Sequence, residues 1–171
     1  YDQCTAITTA VHQTGKSFYA GSHRLTVDRD FLMIQPCKGN EPVYLSIDSD
    51  AKEASILNKR LRFNVVARND FKLAKELSLA QLDAGLVKFP LVWRTWIHGD
   101  QFIPLGMQQH KKVSDFLVDE KVPLPEKEHV TVLVSAAGDI IWIVGRRVAD
   151  PFKVTENTKR VLVITEEQCN G

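Results

Sequence analysis

Val130-Thr131-Val132-Leu133-Val134-Ser135-Ala136-Ala137-Gly138-Asp139-Ile140-Ile141-Trp142-Ile143-Val144 consists of two apolar, β-branched runs on either side of a Gly-Asp pair. Such runs bounded by turn formers read as strands, and glycine at the head of a two-residue loop fits a type II′ hairpin. Outward from this hairpin the pattern repeats. Arg160 to Thr165 reads as a final strand, as do Leu79 to Leu82 and Leu91 to Ile97, with Asp83-Ala84-Gly85 as a turn between the last two. Further upstream, Val43 to Ile47 and Leu61 to Ala67 are strand-like, the latter with Leu61, Phe63 and Val65 on one face. Residues 17–35 read as strand, turn at Asp28-Arg29-Asp30, and strand, while residues 3–14 resemble a short helix stopped at Thr14-Gly15. Residues 48–60 are open between helix and loop. Many strands and few short helices, without regular alternation, predict a strand-rich α+β or mainly-β fold and not a doubly wound sheet. The lysine-rich, weakly periodic stretch 68–78 sets an expected boundary between a region 1–78 and a domain 79–171.

The 171 residues, 44% of them hydrophobic and 25% charged, can bury one substantial core or two small ones and describe an ordinary soluble protein. No apolar run is long enough to cross a bilayer, and no signal-like segment opens the chain. The first residue, Tyr1, suggests a piece of something longer. Cys4, Cys37 and Cys169 fit neither a disulfide framework nor a metal motif, which points to a reducing cytoplasm. The five histidines have no metal-ligand spacing, so no metal is expected. The net charge is +1, and neither half is basic: residues 1–90 hold twelve Lys/Arg against ten Asp/Glu, and residues 91–171 ten against eleven. Any attraction for phosphate must therefore come from local arrangement.

One region has such an arrangement. From Trp93 to Pro123 the chain packs two tryptophans, a Gly99-Asp100 turn, a Pro104-Leu105-Gly106 turn and Lys111-Lys112-Val113-Ser114-Asp115. Ser114 suits a helix N-cap, Val113 and Val118 a hydrophobic staple, and Asp115 the positive end of the dipole. Lys111 and Lys112, with the titratable His110, precede that end, where unpaired amides favour an anion. The competing reading leaves both lysines in water at the end of a loop. After the apolar strand, Arg146 and Arg147 offer planar forks to phosphate. As neighbours in a strand they face opposite ways, so at most one shares a surface with the lysines. The alternative for them is an exposed edge paired with Asp150 or Glu156. Trp93, Trp96 and Trp142 could stack on bases; core packing is the expectation for two of them, with Trp96 partly exposed. Asp115, Asp119 and Glu120 read as a solvated helix face. No nucleophile–base set, phosphate loop or metal cluster is visible, so no catalytic centre is expected in this chain.

Taken together, Phe89-Pro90-Leu91, Arg94-x-Trp96-x-x-Gly99-Asp100-x-Phe102-x-Pro104-x-Gly106-Met107, Lys111-Lys112-x-Ser114-Asp115, Asp119-x-Lys121-Val122-Pro123 and Ile141-Trp142-x-Val144-Gly145-x-Arg147 resemble the C-terminal domain of bacterial tRNA(Ile)-lysidine synthases. Asp150-x-Phe152-Lys153-Val154 and Thr158-Lys159 continue the likeness, which covers roughly residues 79–165. Gly15-Lys16, His23-Arg24-Leu25 and Asp28-Arg29-Asp30 resemble the family's middle region. The resemblance implies a sandwich-like α+β domain, similar to one in the β subunit of phenylalanyl-tRNA synthetase. It also implies a parent enzyme that uses ATP to adenylate the wobble cytidine of tRNA(Ile) and then attaches free lysine. The ATP and lysine sites belong to an N-terminal domain with a Ser-Gly-Gly-x-Asp-Ser loop that this sequence lacks, so no cofactor is expected here. The C-terminal domain is implied to grip the tRNA near its acceptor stem, which makes Arg94, His110, Lys111, Lys112, Ser114, Arg146 and Arg147 the candidate contacts. Gln108-Gln109-His110 stand where the family usually has a glycine flanked by lysines. A second hypothesis is a docking or dimerisation module that uses apolar surface at Trp93, Ile97 and Phe102, against the parent's catalytic domain or a second copy.

Overall fold

The structure, a computed structural model, describes residues 17–20, 23–28, 31–36 and 43–169. The chain forms two compact units that part between Glu41 and Pro42. In the first, β1 (Ser17–Ala20), β2 (His23–Asp28) and β3 (Phe31–Pro36) make an antiparallel three-stranded meander; β2 and β3 are the strand and return read in 17–35, but the stretch before Asp28 is two paired strands and not one. The helix expected over 3–14 lies outside the described residues.

The second unit contains two antiparallel sheets. Strands β4 (Tyr44–Ile47), β8 (Leu91–Thr95), β11 (Thr131–Val134), β12 (Ile140–Ile143) and β13 (Arg147–Val148) form one, in the order β13-β12-β11-β8-β4. Strands β5 (Glu53–Ile56), β6 (Lys59–Ala67), β7 (Leu79–Asp83) and β14 (Arg160–Gln168) form the other, in the order β5-β6-β14-β7. A short ribbon of β9 (Gln101–Phe102) and β10 (Lys111–Lys112) leads into α1 (Val113–Asp119), which α2 (Leu124–Lys127) follows. The result is the strand-rich α+β sandwich expected.

Every residue of β11 and β12 is buried, which explains why their sequence is a continuous apolar run and not an alternation. The register places Trp93, Leu133 and Trp142 side by side on one face, and Val132 and Ile143 on the other. Strands buried on both faces need cover from both sides. The second sheet and α1, through Val113, Phe116 and Leu117, contribute to one shared core. Trp93 is satisfied within that core, its indole N–H donating to the Thr131 hydroxyl at 2.9 Å. Each large apolar side chain fully withdrawn from water in this way contributes about 1.5–3 kcal/mol.

Four further expectations need correction. The hairpin exists, but Gly138 closes a turn that begins at Ser135, with its N–H on the Ser135 carbonyl at 2.9 Å. Its φ of 91° turns the chain back into the ladder, so Gly138 ends the turn and does not lead a two-residue loop. The division at 78/79 is not where the units part. Strand β6 pairs with β14 along nine residues, from Lys59↔Gln168 to Ala67↔Arg160, and β7 pairs with the other edge of β14. The lysine-rich stretch before β7 is a strap on this sheet: the side-chain amide of Gln81 binds the Ala74 N–H at 3.0 Å and the Ala74 carbonyl at 2.8 Å. Its polarity reflects one exposed side, not a joint between domains. Residues 48–60 are neither helix nor simple loop, because they supply β5 and the turn into β6. On β6, Leu61 and Phe63 are buried, whereas Val65 is half exposed.

Candidate nucleic-acid interface

The loop after β8 is built around Arg94 and Asp100. The Arg94 guanidinium grips the Asp100 carboxylate with both terminal nitrogens, at 2.8 and 2.9 Å, and donates to the Thr95 carbonyl at 3.1 Å. The same carboxylate accepts the Ile97 N–H at 2.8 Å, while the Asp100 carbonyl accepts the Val113 N–H at 2.9 Å. One aspartate therefore closes the Gly99 turn and pins the start of α1. Farther along the loop, Leu105 donates to Val148 at 2.9 Å and the Gly106 N–H donates to the Asp150 carboxylate at 2.9 Å. The Gly106 amide, together with the Lys153 ammonium at 3.0 Å, holds the Asp150 carboxyl below its ordinary value. His110 is exposed on this loop, beside Gln108 and Gln109.

A lysine pair at a capped helix end is not what this region forms. The residue preceding α1 is Lys112, and no side chain caps the helix. Ser114 sits inside the first turn with its hydroxyl 3.3 Å from the Asp115 carboxylate. The reason is tertiary: the backbone of Asp100 already takes the Val113 amide, so the helix begins before the serine. The staple is absent as well, since Val113 is buried while Val118 is exposed. The two lysines also point apart. Lys111 lies opposite the buried Phe102 and pairs with Asp119, whereas Lys112 lies opposite the exposed Gln101 on the other face of the ribbon. Arg94 is committed to the fold by its bidentate pair, and its side chain is only 20% exposed.

The arginines differ. Arg146 lies in a turn, its N–H on the Ile143 carbonyl at 2.9 Å, so strand alternation does not separate it from Arg147. Both line one cleft of about 380 Å³ together with Lys75, Lys153, Leu77 and Trp142. Their carboxylate partners are not Asp150 or Glu156. Arg147 Nη2 stands 3.5 Å from Glu120, and Arg146 Nη2 stands 3.6 Å from Glu126. These separations lie at or beyond the outer edge of hydrogen bonding, and the Arg147 Nε is buried without a partner. Both guanidinium groups are loosely held, unlike that of Arg94. Asp119 and Glu120 are exposed, as the reading of a solvated face expects, and in addition pair with Lys111 and Arg147 respectively. The sequence signal for them was the acidic pair itself, at the end of a helix that follows two lysines. Trp93 and Trp142 are buried and offer no face to a base, while Trp96 is partly covered and donates to the Lys127 carbonyl at 2.6 Å.

Residues 91–165, which include the Arg94 loop, α1 and the arginine turn, match the family described as the TilS substrate C-terminal domain, and residues 1–37 match the TilS substrate binding domain. A tRNA(Ile)-lysidine synthase of Parabacteroides distasonis is 39% identical over 89% of the chain. The chain belongs to this family, as a C-terminal portion of it. A Bacteroides thetaiotaomicron tRNA(Ile)-lysidine synthase is 30% identical over 94% of the chain. The chain spans about a third of the length of these curated relatives, 34% and 35%. The fold agrees: a crystal structure of a TilS C-terminal domain superposes with a TM-score of 0.63 at 18% identity, covering 75% of this chain and 100% of that one. The structure thus gives a physical account of the motif that carries the lysidine synthase resemblance: Arg94, Gly99 and Asp100 build the loop on which the rest is mounted.

Proposed function

We propose that the unit 42–171 grips tRNA(Ile) for a lysidine synthase, contacting the acceptor stem through Lys111, Arg146 and Arg147. The parent enzyme would use ATP to join lysine to the wobble cytidine, with the ATP and lysine sites in the part of the family this chain does not cover, and would act in the cytoplasm. Beyond the family match, one observation supports the reading. Arg146 and Arg147 line a single cleft and are held only by distant carboxylates, which phosphate oxygens of an A-form stem can displace from their forks. Arg94 supports this surface without touching RNA, and Ser114 and His110 lie at its margin.

Filter binding of a tRNA(Ile) transcript across a salt series tests the proposal. Arg146→Ala/Arg147→Ala and Lys111→Ala should each weaken binding and flatten the log–log salt dependence by about 0.7–0.9 for every phosphate no longer neutralised. Unchanged affinity and slope in both variants would refute it. The docking alternative is reduced to Ile97, because Trp93 and Phe102 are buried.

A further inference from the structure

Six charged side chains form one chain of alternating partners. Lys111 pairs with Asp119; Glu120, the next residue, pairs with Arg147; Arg146, the residue before that, pairs with Glu126. Three cations meet three carboxylates, so the surface that should attract phosphate carries no net charge from these groups. The carboxylates are on the outside in two of the pairs: Asp119 and Glu126 are 63% and 64% exposed, against 24% and 26% for Lys111 and Arg146. In the third pair both partners are exposed to a similar degree. Exposed pairs of this kind are weak and dissolve in salt.

We propose that Asp119, Glu120 and Glu126 form a carboxylate screen that sets the RNA specificity of this site, a reading that rests on the tRNA-binding function proposed above. The carboxylates occupy the cations in place of phosphate. An arbitrary stretch of RNA brings one or two phosphates and gains little by displacing them. A folded RNA whose backbone presents several phosphates at the spacing of Lys111, Arg147 and Arg146 displaces all three together. The screen thus subtracts from every complex, and most from the poorly fitting ones, which is how repulsion produces discrimination.

The test compares the 171-residue chain with its Asp119→Asn/Glu120→Gln/Glu126→Gln variant on two probes, a tRNA(Ile) transcript and an unstructured single-stranded RNA. The variant should bind the single strand about tenfold more tightly, gain less on the tRNA, and steepen the single-strand salt slope by up to about 0.7 per cation released. Glu126→Gln alone, at an exposed position in α2, should give a smaller change in the same direction if the triple variant does not fold. Unchanged single-strand affinity and slope in a folded variant, with wild type still binding tRNA, would overturn the screen alone. Wild type that ignores the tRNA, with single-strand binding gained in the variant, would uphold the screen and remove the tRNA reading.

Discussion

Replacing Arg94 with alanine removes three charge-assisted hydrogen bonds at once and leaves the Asp100 carboxylate, itself 10% exposed, without a counter-charge. Breaking one side of a fully buried pair costs about 3–5 kcal/mol, and the residual exposure of both partners reduces this to about 2–3 kcal/mol. At roughly 2–4 °C per kcal/mol for a domain of this size, the melting temperature should fall by about 4–12 °C. All three tryptophans lie in the 42–171 unit, so their fluorescence in a urea titration reports this unit's unfolding. Arg94→Lys keeps the charge but not the two-pronged geometry and should recover only part of the loss. The loss should extend to RNA binding under folding conditions, because Asp100 also holds the first amide of α1. An Arg94→Ala protein as stable as wild type, or a lysine variant indistinguishable from it, would refute the claim that this pair organises the loop.

Two further outcomes follow from the same geometry. Gly145 has a φ of 71°, and a Cβ there would sit 2.3 Å from the Glu166 carboxylate, which pairs with Lys59 at 2.7 Å. Gly145→Ala should cost about 1–2 kcal/mol for the backbone alone and more through the displaced carboxylate. In a Glu166→Ala background only the backbone cost should remain, and equal costs in the two backgrounds by urea titration would contradict the close approach. The lowered Asp150 carboxyl contributes stability that is present above its ordinary value of 3.8 and is lost as pH falls through its lower folded value. The urea midpoints of wild type and Asp150→Asn should therefore differ at neutral pH and converge at strongly acid pH, and a gap constant with pH would count against the Gly106 and Lys153 contacts.

The apolar runs and turn residues were enough to read most strands of the sandwich, because a strand buried on both faces can hardly be written in polar residues. What pairs with what was not legible. Strand β6 meets β14 across about ninety intervening residues, and nothing local in 59–67 announces that partner. The two-residue strands β9 and β10 are too short for any pattern. At the candidate site, the local capping rule for Ser114 was sound in itself but lost to a long-range bond from Asp100. The carboxylates at Asp119, Glu120 and Glu126 looked like ordinary solvated residues because their partners come from β10, from β13 and from the turn before it.

The nine-residue seam between β6 and β14 bears on how this polypeptide can be trimmed. A version started at residue 79 would keep the loop, the arginine turn and all three tryptophans, yet strip one long flank of β14 of every backbone partner. Started at Leu91, at the edge of the matched TilS substrate C-terminal domain, it would bare both flanks, with Leu162 and Ile164 deprived of their neighbouring strands. Naked strand edges recruit other chains, so such products should clump on purification, and workable material should begin no later than Val43.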